Sequence, residues 1–214
     1  MPMIFFTDSL SEILDLYKNS ESEVVLFPIT TANSDTLKEE KRESYFNQAI
    51  FNRSYSNQEK LIFTVSPWSK LIKRSFIERN NLFFEEILYA NDVMFSVKIG
   101  ILSKLIAIDV NHCLYTLTVR NGSLTTIKDD TALFSRLQTA IRANLYLKEH
   151  NHAEWMQQLN GRFLNWASSL GKREVIRTIF ILYKNHFLFY KGKYTWKYKY
   201  YNNSWYILFH SLFS

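Results

Sequence analysis

The chain has a single cysteine, Cys113, so no intrachain disulfide can form, and a reducing compartment suits it. Glycine and proline are scarce, at 5 and 3 of 214 residues, which excludes collagen-like and loop-rich architectures. The few glycines form neither a GxGxxG nor a GxxxxGK pattern, so there is no glycine-rich phosphate loop. No run of about 18 apolar residues is present to build a membrane-spanning helix. The opening MPMIFFTDS is too short, and turns acidic too soon, to read as a secretory signal. Acidic residues are missing altogether from positions 175–214.

What is present is enough to bury a core: 47% of residues are hydrophobic, 16% aromatic and 21% charged, which excludes global disorder. The length fits one large domain, or one with a small appendage. The net charge of +6 resides wholly in positions 175–214, on Arg177, Lys184, Lys191, Lys193, Lys197 and Lys199. That asymmetry concerns partners rather than fold.

Hydrophobic spacing predicts a mixed α/β chain that becomes helical toward its end. Residues 3–6 are compatible with a strand. Leu10, Ile13, Leu14 and Tyr17 mark a helix over 9–18. The run VVLFPI at 24–29 reads as one buried strand, with Pro28 near its end where a missing donor is tolerable. Residues 33–44 read as a loop or an exposed helix. Tyr45, Phe46, Ala49 and Ile50 form a helical face, and 61–65 reads as strand or helix. Leu71, Phe76 and Ile77 line one apolar face of a basic amphipathic segment. Val93, Met94, Val97, Ile101 and Leu102 form a helical stripe after Asp92. Strands are expected over 105–110 and 113–119, followed by a turn at Asn121-Gly122-Ser123. Leu133, Leu137, Ile141 and Leu145 mark a helix capped near Asp129 or Asp130. Further helices are expected over 153–170, closed by Gly171, and over 173–188. The expected division is 1–128, a helical region over 129–189, and a basic aromatic tail over 190–214.

Three candidates for chemistry stand out. His112-Cys113 and the pair His150 and His152 match no zinc spacing, so no metal site is read from the sequence. Adjacent residues on a strand point to opposite faces, which argues against a Cys–His pair at 112–113. The tail KGKYTWKYKYYNNSWY combines lysines with Trp and Tyr, as a membrane-surface contact does; an aromatic appendage packed on the body is the alternative. No signature of a nucleic-acid module accompanies it. The third candidate is the stretch 66–98, where Asn91-Asp92 precedes an apolar helix. An aspartate there can cap the helix or serve as a general base, and both readings stay open on the residues alone.

Within that stretch Pro67, Trp68, Lys70, Leu71, Arg74 and Phe76 are followed by Asn81, Phe84, Asp92 and Phe95, and later by Tyr115, Arg120, Gly122 and Ser123. In order and spacing these blocks resemble the second half of family 2 glycosyltransferases with the GT-A fold, of the type that builds bacterial capsule and cell-envelope polysaccharide. The match covers about residues 60–126, and extends more loosely upstream to residue 9. The resemblance implies a partial GT-A-like mixed sheet flanked by helices over 1–128, followed by a helical region. It implies transfer of a sugar from a nucleotide-sugar to a glycan or lipid-linked acceptor, with Asp92 as the base. Asn91 stands where the family has Glu. Trp68 is then expected against a sugar ring, and Lys70 and Arg120 against a diphosphate or the acceptor. A divalent ion, Mg²⁺ or Mn²⁺, is expected for the family, yet no cofactor site is identifiable in this chain. The nucleotide-binding half and its D-x-D motif have no counterpart here, so a donor half on a partner chain is one expectation. A non-catalytic carbohydrate-binding or scaffold protein of a polysaccharide assembly complex is the alternative. The expected location is the cytoplasm, or the inner face of its membrane through residues 190–214.

Overall fold

In a computed structural model, residues 9–39, 43–119 and 127–191 are described; Arg120, Gly122, Ser123, residues 3–6 and the tail beyond Lys191 lie outside them. The chain divides into two compact units. The first comprises Met1–Glu85 with Met94–Ser123, the second Glu86–Val93 with Leu124–Ser214.

In the first unit, α1 (Ser9–Tyr17) leads to β1 (Val24–Leu26) and β2 (Ile29–Asn33). Helices α2 (Glu43–Phe51) and α3 (Asn57–Phe63) follow, then a 3-10 turn over Pro67–Ser69, β3 (Lys70–Ile72) and α4 (Arg74–Arg79). Helix α5 (Val93–Leu102), β4 (Ile106–Ile108) and β5 (Tyr115–Val119) complete it. Strand β1 is central, antiparallel to β3 with Val25 opposite Leu71, and parallel to β4 with Val25 opposite Ala107. Its side chains alternate. Val24 and Leu26 enter a core with Ile50, Leu61, Phe76, Phe95 and Ile99. Val25 and Phe27 point the other way, onto Ile13 of α1 and Leu114. Burial on both faces explains why this run is continuously apolar.

The expected single strand over 24–29 is two strands in two sheets. Pro28 has no N–H to continue the ladder, the Phe27 N–H turns to the Ser69 carbonyl at 2.9 Å, and Ile29 begins again in parallel with β5. Asn47 of α2 makes that restart possible. Its buried amide accepts the Ile29 N–H at 2.9 Å and donates to the Ile29 carbonyl at 2.8 Å, as a neighbouring strand would. Residues 61–65 fall at the end of α3. That helix starts with a capping box, in which the Ser56 hydroxyl takes the Glu59 N–H and the Glu59 carboxylate takes the Ser56 N–H. The basic segment around Leu71 is a short strand followed by a short helix, because β3 is needed to flank β1. Two of its cations pair at the surface: Arg74 with Glu78 at 2.6 Å, and Arg79 with Glu23 at 2.7 Å.

A polar network ties α1 to the turn after β4. The Asp109 carboxylate, 6% exposed, accepts the Tyr17 hydroxyl at 3.0 Å and the N–H groups of Asn111 and His112, and pairs with His112 Nδ1 at 2.7 Å. Burial raises its pKa, but these hydrogen bonds outweigh burial and hold it below the usual value. Burial first, then the bond to Asp109 and its charge, push the Tyr17 hydroxyl up to about 12.

The second unit is helical. Asp129 caps α6 (Asp130–Glu149) by accepting the Ala132 N–H at 2.7 Å. Leu133, Leu137 and Ile141 of α6 are buried four residues apart. The expected helix over 153–170 is interrupted. A 3-10 turn over Ala153–Trp155 is followed by α7 (Asn160–Leu170), because Asn144 holds the backbone between them open. The Asn144 side chain donates to the Gln157 carbonyl and accepts the Gln157 N–H, each at 2.8 Å. Gly171, at φ 141°, turns the chain directly into α8 (Lys172–Lys184), which packs on α7. Helix α8 ends four residues earlier than the spacing predicts, where His186 takes a left-handed backbone (φ 63°) and the Phe187 N–H returns to the Leu182 carbonyl at 2.8 Å.

Candidate functional site

The residues singled out by sequence fall in both units. Trp68 and Lys70 belong to the first. Trp68 is half-buried on the Pro67–Ser69 turn, its ring stacked on Tyr115 at 5.0 Å and edge-on to Phe46 at 5.5 Å. Lys70 is 7% exposed. Its ammonium donates to the carbonyls of Thr64 and Ser66, the latter at 2.7 Å, and so satisfies a turn that leaves two carbonyls facing inward. Ser69 Oγ donates to the same Ser66 carbonyl at 3.2 Å, and Ser96 Oγ of α5 to the Val65 carbonyl. Three successive carbonyls are therefore taken up by side chains, and that fixes the turn carrying Trp68. In this arrangement Lys70 positions Trp68.

Asn91 and Asp92 belong to the second unit. They form the middle of a turn closed by the Val93 N–H to the Ala90 carbonyl at 3.3 Å, with Ala90 in the left-handed region at φ 62°. Few non-glycine residues adopt that backbone, and such strain clusters at functional sites. Asn91 is exposed; Asp92 is half-buried and stands immediately before α5. The turn is anchored by Tyr89, 6% exposed, whose carbonyl accepts Ser135 Oγ of α6 at 3.2 Å.

The sequence did not mark out the residue that organises this second group, Arg136. Its guanidinium lies 5.3 Å from the ring centroids of both Tyr89 and Trp166. Burial chiefly, then the charge of Arg162, lower its pKa; Tyr89, Asp129 and Asp92 act in the opposite sense. Asp92 therefore lies in the field of a cation that is half-buried and framed by two aromatic rings. Nothing local announced Arg136, which sits on α6 between two core leucines, far in sequence from Tyr89 and Asp92.

Among the described residues, no group of three His, Cys, Asp or Glu side chains is placed to hold a metal ion.

The mixed sheet with flanking helices, followed by a helical region, is a glycosyltransferase-like α/β fold. The particular likeness is to S. aureus TarS. A crystal structure of TarS 1-349 in complex with UDP-GlcNAc is 16% identical, with a TM-score of 0.55 over 85% of this chain and 55% of that one. TarS 1-349 in complex with UDP is 18% identical, with a TM-score of 0.46 over 79% of this chain and 46% of that one. The chain thus spans about half the length of the solved structures it matches. No family model matches the sequence, and no curated protein matches it.

Proposed function

We propose that this chain is a glycosyltransferase-like protein that acts in transferring a sugar from a nucleotide-sugar to a hydroxyl of a glycan or lipid-linked acceptor, with Asp92 as the base. The observation that carries the reading is the setting of Asp92: a half-buried carboxylate next to the strained Ala90, within the electrostatic reach of Arg136, in a chain whose fold is like that of TarS. In the reaction the acceptor O–H gives its proton to the Asp92 carboxylate while the oxygen attacks the anomeric carbon. The bond from that carbon to the diphosphate oxygen breaks, and the diphosphate leaves with the electron pair. The positive charge of Arg136 acts on Asp92, and Asn91 is exposed next to it, where it can hydrogen-bond the acceptor.

Titration calorimetry with UDP-GlcNAc and with UDP, each with and without Mn²⁺, tests donor recognition; saturable binding in the micromolar range is expected. If transfer is then detected, Asp92→Asn lowers it by about 10²–10⁴-fold with the fold intact, the usual contribution of a general base. Unchanged turnover removes Asp92 from that role. The placement of Lys70 favours a second reading, a non-catalytic carbohydrate-binding protein, because the ammonium expected at a diphosphate is engaged by backbone carbonyls. Binding of an acceptor glycan without any binding of nucleotide decides for it.

A further inference from the structure

We propose that the exposed face of α8 docks on an anionic lipid bilayer. Helix α8 buries Val175, Thr178 and Leu182, leaving a second apolar stripe outward. Ile176, Phe180 and Tyr183 are 57%, 64% and 64% exposed and recur at i, i+4 and i+7. At about 100° per residue they fall within a band roughly 60° wide. Lys172 borders the band on one side, and Arg173, Lys184 and Arg177 border it on the other; all four are exposed. Arg177 lays its guanidinium on the Phe134 ring at 4.0 Å, which fixes the direction of that edge. Glu174 is the sole acid of the helix and lies about 60° beyond Arg177, off the face. No acid follows it through Ser214.

An apolar centre with cationic flanks fits a lipid surface in particular. Ile176 and Phe180 enter the boundary between headgroups and acyl chains, Tyr183 stays at the headgroup level, and the flanking cations meet anionic headgroups. A second copy of the chain fits poorly, because two such faces would bring cation against cation. A nucleic acid fits poorly as well, because its phosphates would face the aliphatic centre rather than a cationic one.

The test is flotation of the full-length protein with vesicles of phosphatidylcholine alone or mixed with phosphatidylglycerol. The wild type is expected to float with the anionic vesicles, to stay behind with the neutral ones, and to be released by salt. Substituting Lys172, Arg173 and Lys184 together by Ala should weaken partitioning about 100-fold, at about fivefold per charge. Substituting Ile176, Phe180 and Tyr183 together by Ser should weaken it at least as much, with an unchanged circular dichroism spectrum. The proposal is overturned if the wild type does not float, if neutral vesicles serve equally well, or if the serine variant floats as the wild type does, which would place the contact in residues 190–214. Equally, a wild-type dimer made monomeric by the serine changes, or tighter binding of duplex DNA than of vesicles, overturns it. None of these outcomes depends on the sugar-transfer reading.

Discussion

Gly100 sits in the last turn of α5, within the helix, where a glycine is ordinarily a weakness. Replacing an interior helical glycine by alanine stabilises by about 1 kcal/mol through propensity alone. Here the added Cβ would lie 2.4 Å from Ile62 Cγ1 and 3.3 Å from both Ile62 Cδ1 and the Ile62 backbone N. Ile62 is 1% exposed, so it has no solvent to swing into, and α3 is held at its start by the Ser56–Glu59 capping box. Overpacking of such a site costs about 1–3 kcal/mol, and the contact is close enough to sit at the upper end. The balance for Gly100→Ala is a loss of about 2 kcal/mol, read as a lower urea midpoint or a thermal midpoint about 4–8 °C lower. The decisive form is a double-mutant cycle. Ile62→Ala alone should destabilise by about 2–5 kcal/mol through the cavity it leaves. Combined with Gly100→Ala it should be better than additive by about 1–3 kcal/mol, because the new methyl fills space that the isoleucine vacated. A Gly100→Ala protein as stable as the wild type or more so, or a strictly additive pair, would refute the reasoning.

Other outcomes follow from the polar contacts. Asn47→Ala should destabilise by about 2–4 kcal/mol in urea melts, since it strips both the N–H and the carbonyl of Ile29 of a buried partner. The Tyr17 hydroxyl titrates at about 12 in the folded chain against an ordinary 10.0, so the folded form holds this proton more tightly. Its contribution to stability is complete below pH 10.0 and is lost as the pH rises toward 12. The stability difference between wild type and Tyr17→Phe should shrink over that window, and a constant difference would contradict the assignment. Asp109 has the opposite sign. Its folded pKa lies below the ordinary 3.8, so its contribution is present above that value and disappears as the pH falls through the folded one. Asp109→Asn should therefore flatten the acid limb of the stability profile.

Much of the fold could be read from spacing. The α/β class, the helix at α1, the strand runs at β4 and β5 and the capped start of α6 all follow from local periodicity and from Asp129 standing three residues before Ala132. The errors share one cause. At 24–29, 70–77 and 153–170 the local pattern suggested one uninterrupted segment, but the backbone was redirected by a partner distant in sequence. Asn47 restarts the chain at Ile29, β1 recruits Lys70–Ile72 as a strand, and Asn144 holds Gln157 out of the helix. A side-chain amide that imitates a neighbouring strand leaves no periodic trace in the residues it holds.

Sequence by itself determined which residues are hydrophobic on one face or on two, where helices can start, and where charge of one sign accumulates, because these depend on spacing of a few residues. Tertiary structure alone decided what the polar groups do. It turned Lys70 inward onto carbonyls, framed Arg136 with Tyr89 and Trp166 within electrostatic reach of Asp92, and left Ile176, Phe180 and Tyr183 facing out. The physical reason is that a charge or an amide takes its role from whichever partner the fold brings within a few ångströms, and that partner is set by topology rather than by the neighbouring sequence.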